Sequence, residues 1–214
     1  MIAFIFAAAG LTPAAAPTAI DAERAFARDA QQSGQWAAFR KTAAPDAVMF
    51  TPKVVWARDF LKNRKEPRSA VRWWPAASVT SCDGTVAVNG GPYVAGDGKH
   101  HGRFTTVWLK GSDGWRWIYD GGEATKTQLS ARRAPIVRRA ACSGKPSGAP
   151  IASAPTLATP PAPDAEPNDF GRGESGDRTL GWDWKVEADG TRTFRLFQWT
   201  GRRYAQVIHQ RIAP

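Results

Sequence analysis

The apolar positions of this chain change period part-way along it. From Asp21 to about Gln32 they recur at helical spacing, with Ala22, Ala25, Phe26, Asp29, Ala30 and Ser33 on one face, Asp21 placed to cap and Gly34 as the break. Trp36, Phe39 and Ala43 then fall at i, i+3 and i+7 and predict a second helix that Pro45 ends. Val48-Met49-Phe50 predicts a short extended segment. Trp56 and Phe60, one turn apart, predict a third helix to about Asn63, and Pro67 closes the helical half. Beyond Val71 the period drops to two. Strands over 71–80, 85–94, 102–110 and 115–121 are separated by Asp83-Gly84, Gly96-Asp97-Gly98 and Ser112-Asp113-Gly114, each a hairpin signal. Helices followed by antiparallel strands predict an α+β domain in which a curved antiparallel sheet wraps its N-terminal helices, forming a cone with a cavity inside.

The strands are apolar on both faces. Phe104 and Trp108 alternate with Val107 and Leu109, and Trp115, Trp117 and Tyr119 alternate with Arg116, Ile118 and Asp120, so the sheet needs cover on both sides. The helices supply one cover. The chain after the sheet begins with a basic arm over 124–142, then a Pro/Ala/Gly/Ser-rich stretch over 143–178 whose composition predicts a disordered linker. Structure resumes over 179–214. Leu180, Trp182, Trp184 and Val186 alternate with polar residues, Asp189-Gly190 makes a turn, and Phe194 to Trp199 and Tyr204 to Gln210 complete a three-stranded β-meander. An isolated meander is marginal in water. It is expected to dock on the outer face of the main sheet and leave the chain a monomer.

At 214 residues the chain can hold one core with an annex, and its 10 Trp and 10 Phe supply that core. The net charge of +10 favours acidic partners. No basic stripe interleaves with aromatics, so nucleic acid is not expected, and Arg132, Arg133, Arg138 and Arg139 point instead to peripheral contact with an anionic membrane. At the N-terminus, the apolar run Ile2 to Leu11 and the small residues up to Ala19 read as a secretory signal over 1–19, too short to span a bilayer. Two cysteines, Cys82 and Cys142, then predict one disulfide and a periplasmic or secreted protein.

Several motifs carry a family likeness: Ala22-Glu23-Arg24-Ala25-Phe26-Ala27, Gly34-Gln35-Trp36-Ala37-Ala38-Phe39, Asp46-Ala47-Val48-Met49-Phe50, Trp74-Pro75, Phe104-Thr105-Thr106-Val107-Trp108 and Trp117-Ile118-Tyr119-Asp120-Gly121-Gly122. In this order they resemble exported SnoaL-like members of the nuclear transport factor 2-like superfamily, over residues 21 to 122. The resemblance implies a cone with a ligand cavity between helices and sheet. It spans ketosteroid isomerases, polyketide cyclases, dehydratases and non-enzymatic modules. The resembled isomerases keep a Tyr in the first two helices, and this chain has none there, which argues against isomerase activity.

The chemistry rests on side chains expected to face the cavity. Asp29 shares a face with Phe26, where an apolar wall would raise its pKa and suit it to proton transfer; the alternative is a carboxylate that pairs with Arg or caps the neighbouring helix. Tyr119 could donate to a developing oxyanion. His101, beside His100 at a hairpin tip, is the other candidate partner. Nucleophilic triads, phosphate loops and zinc spacings are absent from the sequence, so neither cofactor nor metal is predicted. Trp36, Phe39, Met49, Trp56, Phe60, Trp74 and Trp108 could line the cone as an apolar wall, or fill it. The reading preferred is an exported module that binds a small apolar ligand without turnover. The alternative is a cofactor-free isomerase, cyclase or dehydratase using Asp29 as acid/base.

Overall fold

The computed structural model describes residues 16–51, 53–130, 134–148 and 166–214. Its first helix, α1 (Ala19–Gln32), is capped by Thr18 rather than Asp21. The Thr18 hydroxyl accepts from the Asp21 N–H, and the Asp21 carboxylate accepts from the Thr18 N–H in return, a capping box. The Trp115 indole donates to the Pro17 carbonyl at 2.9 Å. Pro17, inside the stretch read as a signal, is therefore part of the packed structure, while the apolar run Ile2 to Leu11 lies outside the described residues. α1 buries Ala19, Ile20, Glu23, Phe26 and Ala30. That face is rotated from the expected one: Phe26 and Ala30 are shared, but Glu23 is inside and Asp29 is not. Alanines flank Phe26 on every side, so apolar spacing alone allowed either rotation.

The second helix, α2 (Gln35–Thr42), has no capping side chain of its own. Its first free N–H groups, on Trp36 and Ala37, donate to the Glu66 carboxylate at 2.8 and 2.9 Å, as suits the positive end of a helix. Gly34 permits this approach. Its φ is 108°, and a Cβ there would stand 2.8 Å from the Glu66 carboxyl carbon.

The chain then lays down β1 (Ala43–Phe50), β2 (Val54–Trp56), a short α3 (Ala57–Leu61), β3 (Arg72–Trp73), β4 (Ala77–Thr80), β5 (Val86–Val94), β6 (His101–Gly111), β7 (Gly114–Ala124) and β8 (Ile136–Arg139). These form one eight-stranded sheet in the order β2-β1-β7-β6-β5-β4-β8, with β3 also paired to β5. The sheet is mixed, not antiparallel as expected: β1 runs parallel to β7 and β8 parallel to β4. Pro45 lies in β1 rather than merely ending α2, and it falls in the register gap between Ala43↔Trp117 and Val48↔Tyr119, where its missing N–H is not needed. The single strand expected over 71–80 is two pieces, because Pro75 interrupts it. β5 pairs with both, and opposite the break a Cβ on Gly91 would lie 2.0 Å from the Trp74 carbonyl oxygen. The backbone bulges there and leaves Trp74 38% exposed.

The second sheet has four strands, β9 (Phe170–Glu174), β10 (Leu180–Val186), β11 (Arg192–Trp199) and β12 (Tyr204–Ile212), each antiparallel to the next. The expectation was three. β9 lies in the stretch read as linker, most of whose earlier part, 149–165, is outside the described residues. Its glycines explain why it pairs: a Cβ on Gly171 or Gly173 would meet the rings of Trp184 and Trp182 at 2.6 and 2.3 Å. A strand without side chains at those positions lets two large indoles lie across it.

The two sheets touch through aromatic rings. Phe50 and Trp184 have centroids 5.3 Å apart, and Tyr119 and Phe194 4.8 Å. A bulge in β7 creates this contact. Trp108 pairs with Trp117 but Val107 pairs with Tyr119, so the alternation slips at Ile118. Trp117 meets Phe39 and donates to the Thr42 hydroxyl on the helical side, while Tyr119 turns to the second sheet.

At one end two turns of like sequence clasp each other, Ser81-Cys82-Asp83-Gly84-Thr85 and Ser175-Gly176-Asp177-Arg178-Thr179. In each, the Asp Oδ1 accepts from the Ser hydroxyl and from the Thr N–H and hydroxyl. Between them, the Asp83 N–H donates to Asp177 Oδ2 at 2.7 Å and the Asp177 N–H to Asp83 Oδ2 at 3.1 Å. The fourth residue of each turn has positive φ, 71° at Gly84 and 61° at Arg178. Beside the clasp, Cys82 and Cys142 are bridged, with Cα atoms 5.2 Å apart and a sequence separation of 60, a closure worth about 4 kcal/mol on loop entropy. Asp177→Ala removes the acceptor of four of these hydrogen bonds. It is expected to cost about 2–4 kcal/mol in urea unfolding; a loss below about 0.5 kcal/mol would show that the clasp does not hold the sheets together.

Candidate functional site

The buried side of α1 carries one acid, Glu23, with no exposed surface. Its Oε1 accepts from the Trp73 indole at 2.8 Å, and its Oε2 accepts from the Trp108 indole at 2.6 Å and from the Asn89 amide at 3.2 Å. Asn89 also donates to the Ala19 carbonyl, at 2.9 Å. Burial pushes the Glu23 carboxyl up to about 7, against the three donors that favour the anion, and nearby Asp120 adds to the rise. Asp120 itself accepts from Thr106 at 3.1 Å and is pushed by burial up to about 6, with Arg192 pulling the other way. Sequence reading missed Glu23. The signal available was its i, i+3, i+7 spacing with Phe26 and Ala30, together with two tryptophans on the strands that need acceptors for their indole N–H.

Around Glu23 the space between helices and sheet is occupied by rings. Phe26 meets Phe39, Trp73 and Trp108 edge-on with centroids 4.7, 4.8 and 5.9 Å away. Trp36 meets Phe39 at 5.5 Å and Phe60 at 6.0 Å, and the Arg64 guanidinium lies 3.9 Å from the Phe60 centroid. Of the residues expected to line a cavity, Trp36, Phe39 and Phe60 are spent on one another, Trp108 on Phe26 and Glu23, and Met49 is buried in the same core. Trp56 borders a small space of about 30 Å³ shared with Asp46, Tyr119, Trp182 and Trp184, where burial raises the Asp46 carboxyl. Trp74 is different. It lines an open cleft of about 500 Å³ between α1 and the β3 turn, with Arg24, Ala27, Arg28, Gln31, Arg72, Trp73 and Pro75.

The cleft follows from local structure. Arg24 and Arg28 stand one turn apart on the outer side of α1, and Arg72 comes from β3, next to buried Trp73. Gln31 donates to the Val71 carbonyl at 2.8 Å and the Val71 N–H donates to Gln35 at 3.0 Å, which fixes the spacing of helix and strand. The Pro75 bulge then tips the Trp74 indole out over the gap.

The three residues expected to do chemistry lie in separate neighbourhoods. Asp29 is on the partly exposed side of α1, where its carboxylate accepts from Lys41 at 2.8 Å and from the Ser33 hydroxyl at 2.7 Å, and these partners hold it below the usual range. The expected raised pKa is therefore reversed, and the ion-pair partner is Lys rather than Arg. Tyr119 is buried between the sheets. Its hydroxyl has no hydrogen-bond partner among the described residues, and burial pushes it up to about 12. His101 opens β6 with Nδ1 3.4 Å from the Thr125 hydroxyl, and exposed His100 has Nδ1 2.5 Å from Asp97 Oδ2. Of the arginines expected at a membrane, Arg132 and Arg133 lie outside the described residues, Arg138 is exposed on β8, and Arg139 donates to the Cys82 carbonyl. No cluster of metal-ligating side chains occurs among the described residues.

No protein-family model matches the chain, and no curated protein matches it. Among solved structures it is similar to a protein of unknown function from the DUF3225 family of Pectobacterium atrosepticum, at 19% identity over 50% of this chain and 89% of that one, with a TM-score of 0.38. A putative aromatic ring hydroxylase from Novosphingobium aromaticivorans aligns at 17% identity over 52% and 89%, TM-score 0.36. A putative Ca/calmodulin-dependent kinase II association domain from Exiguobacterium sibiricum aligns at 13% over 56% and 100%, TM-score 0.37. These overlaps are low in both identity and score, so the site is read from its own side chains.

Proposed function

We propose that the protein is an exported, monomeric binding module of SnoaL-like type, residues 20–123 forming the cone and the C-terminal sheet covering the cone's outer face, and that its ligand sits in the cleft beside Trp74 rather than inside the cone. One observation carries the reading: the interior is packed ring against ring, while a cleft of ligand size stands open at its edge with an exposed indole. The separation of Asp29, Tyr119 and His101 favours binding over the isomerase, cyclase or dehydratase alternative, since proton transfer needs two groups within reach of one atom. Export is supported by the Cys82–Cys142 bridge, which suits an oxidising compartment. No helix among the described residues is long and apolar enough to cross a membrane.

Native mass spectrometry of the protein recovered from its own host tests this. A retained small molecule is expected on the wild type and is expected to be lost from Trp74→Ala, whose fold should be intact because the ring is exposed. A ligand held equally by both would place binding elsewhere.

A further inference from the structure

We propose that this cleft recognises a planar aromatic carboxylate, its ring laid on Trp74 and its acid group held by Arg24, Arg28 and Arg72. The inference rests on the binding-module reading and adds the charge and shape of the ligand. None of the nine residues that line the cleft is acidic, and three are arginines. Arg24, Arg28 and Arg72 make no ion pair or side-chain hydrogen bond among the described residues. Asp21 attracts Arg24 and Arg28 from a distance, but its carboxylate is engaged by Thr18 in the capping box. Three guanidiniums facing one cleft repel each other, and a bound anion relieves that repulsion. A guanidinium fork matches the two oxygens of a carboxylate, and arginines arriving from two sides, α1 and β3, can hold it in its plane.

The apolar half of the site points to a ring. Trp74 is 38% exposed, and its backbone is set by the Pro75 bulge, where its carbonyl packs against Gly91, and by buried Trp73 beside it. An indole on a constrained backbone offers a flat apolar face on which a planar ring can lie. Ala27, between the two helical arginines, leaves room above the helix. A bare inorganic anion would leave this surface unused, and a neutral ring would leave the arginines unpaired.

Calorimetric titration with 2-naphthoate, 2-naphthylmethanol and inorganic phosphate tests the proposal on wild type, Arg28→Gln, Arg72→Gln and Trp74→Ala. The naphthoate is expected to bind at least tenfold more tightly than the neutral alcohol or phosphate, and each substitution is expected to weaken it about tenfold or more, the loss that goes with about 1.4 kcal/mol. Melting temperatures should stay near wild type, because all three side chains are exposed. If the alcohol binds as well as the acid, the charge inference fails and the cleft survives as an apolar site. Phosphate that binds as well as naphthoate makes the ring dispensable and also overturns the inference. If neither naphthyl compound binds, or the substitutions leave binding untouched, the cleft reading fails with it.

Discussion

Glu23→Ala is expected to destabilise the protein by about 3–5 kcal/mol, lowering its melting temperature by roughly 10 °C. The loss follows from what the carboxylate accepts rather than from its volume. Without it the indoles of Trp73 and Trp108 lose the acceptor they share, and the Asn89 amide keeps only Ala19. Each buried donor left unpaired costs about 1–3 kcal/mol. Glu23→Gln restores one acceptor but turns an N–H₂ towards a donor, so it should fall between wild type and alanine.

The same residue sets a pH dependence. The folded-state carboxyl is raised to about 7 from 4.5, so between those values the native state holds more protons than the unfolded chain. Stability from this group is therefore fully present below pH 4.5, falls as pH rises through the window and levels off above about 7, a change of about 3 kcal/mol at most. Asp120, raised to about 6, adds a fall of the same sign. At the acid end the sign reverses: burial would raise Asp83, but the hydrogen bonds from Ser81 and Thr85 outweigh it and lower its pKa, so its contribution is lost as pH drops below 3.8. Urea midpoints across pH 4 to 8 should slope downward in wild type and less steeply in Glu23→Gln. A flat wild-type profile, or an alanine variant as stable as wild type, would remove Glu23 from the centre of the core.

The parts of the fold that sequence made legible are those set by local chemistry. The hairpins at Asp83-Gly84 and Ser112-Asp113-Gly114 fall where turn residues demand them, and the Cys82–Cys142 bridge follows from a lone pair of cysteines. What stayed hidden is decided by partners distant in sequence. β9 is Gly-rich and reads as linker, because its pairing comes from the indoles of Trp182 and Trp184 that lie on it. Glu23 was passed over because α1 is Ala-rich around Phe26, and only the indole donors from β3 and β6 decide which acid turns inward. Tyr119 was assigned the face of Trp117 because the bulge at Ile118 leaves no mark in the alternation. The cleft needed α1 and the β3 turn, distant in sequence, to be brought together, although Arg24 and Arg28 one turn apart were a readable hint.

Deleting residues 166–214, which removes the whole second sheet including β9, should cause aggregation or dimerisation in size-exclusion chromatography and a large drop in melting temperature. The second sheet buries Leu180, Trp182, Trp184, Phe194 and Leu196 to 4% exposure or less, and side chains of this kind are each worth about 1.5–3 kcal/mol when taken out of water. Their counterparts on the first sheet, Phe50 and Tyr119, are ring partners of Trp184 and Phe194 and would face solvent. Arg192 would go as well, with its hydrogen bond to the Gly122 carbonyl at 2.7 Å and its stacking 4.1 Å from the Phe50 centroid. So would Gln210, whose amide meets the Thr105 hydroxyl. The truncated chain keeps both cysteines, so any loss reflects packing and the Asp83–Asp177 clasp rather than the bridge. An exposed apolar sheet face of this kind is the surface that drives self-association. A truncated protein that stays monomeric, soluble and equally heat-stable would show that the second sheet stands beside the first without supporting it.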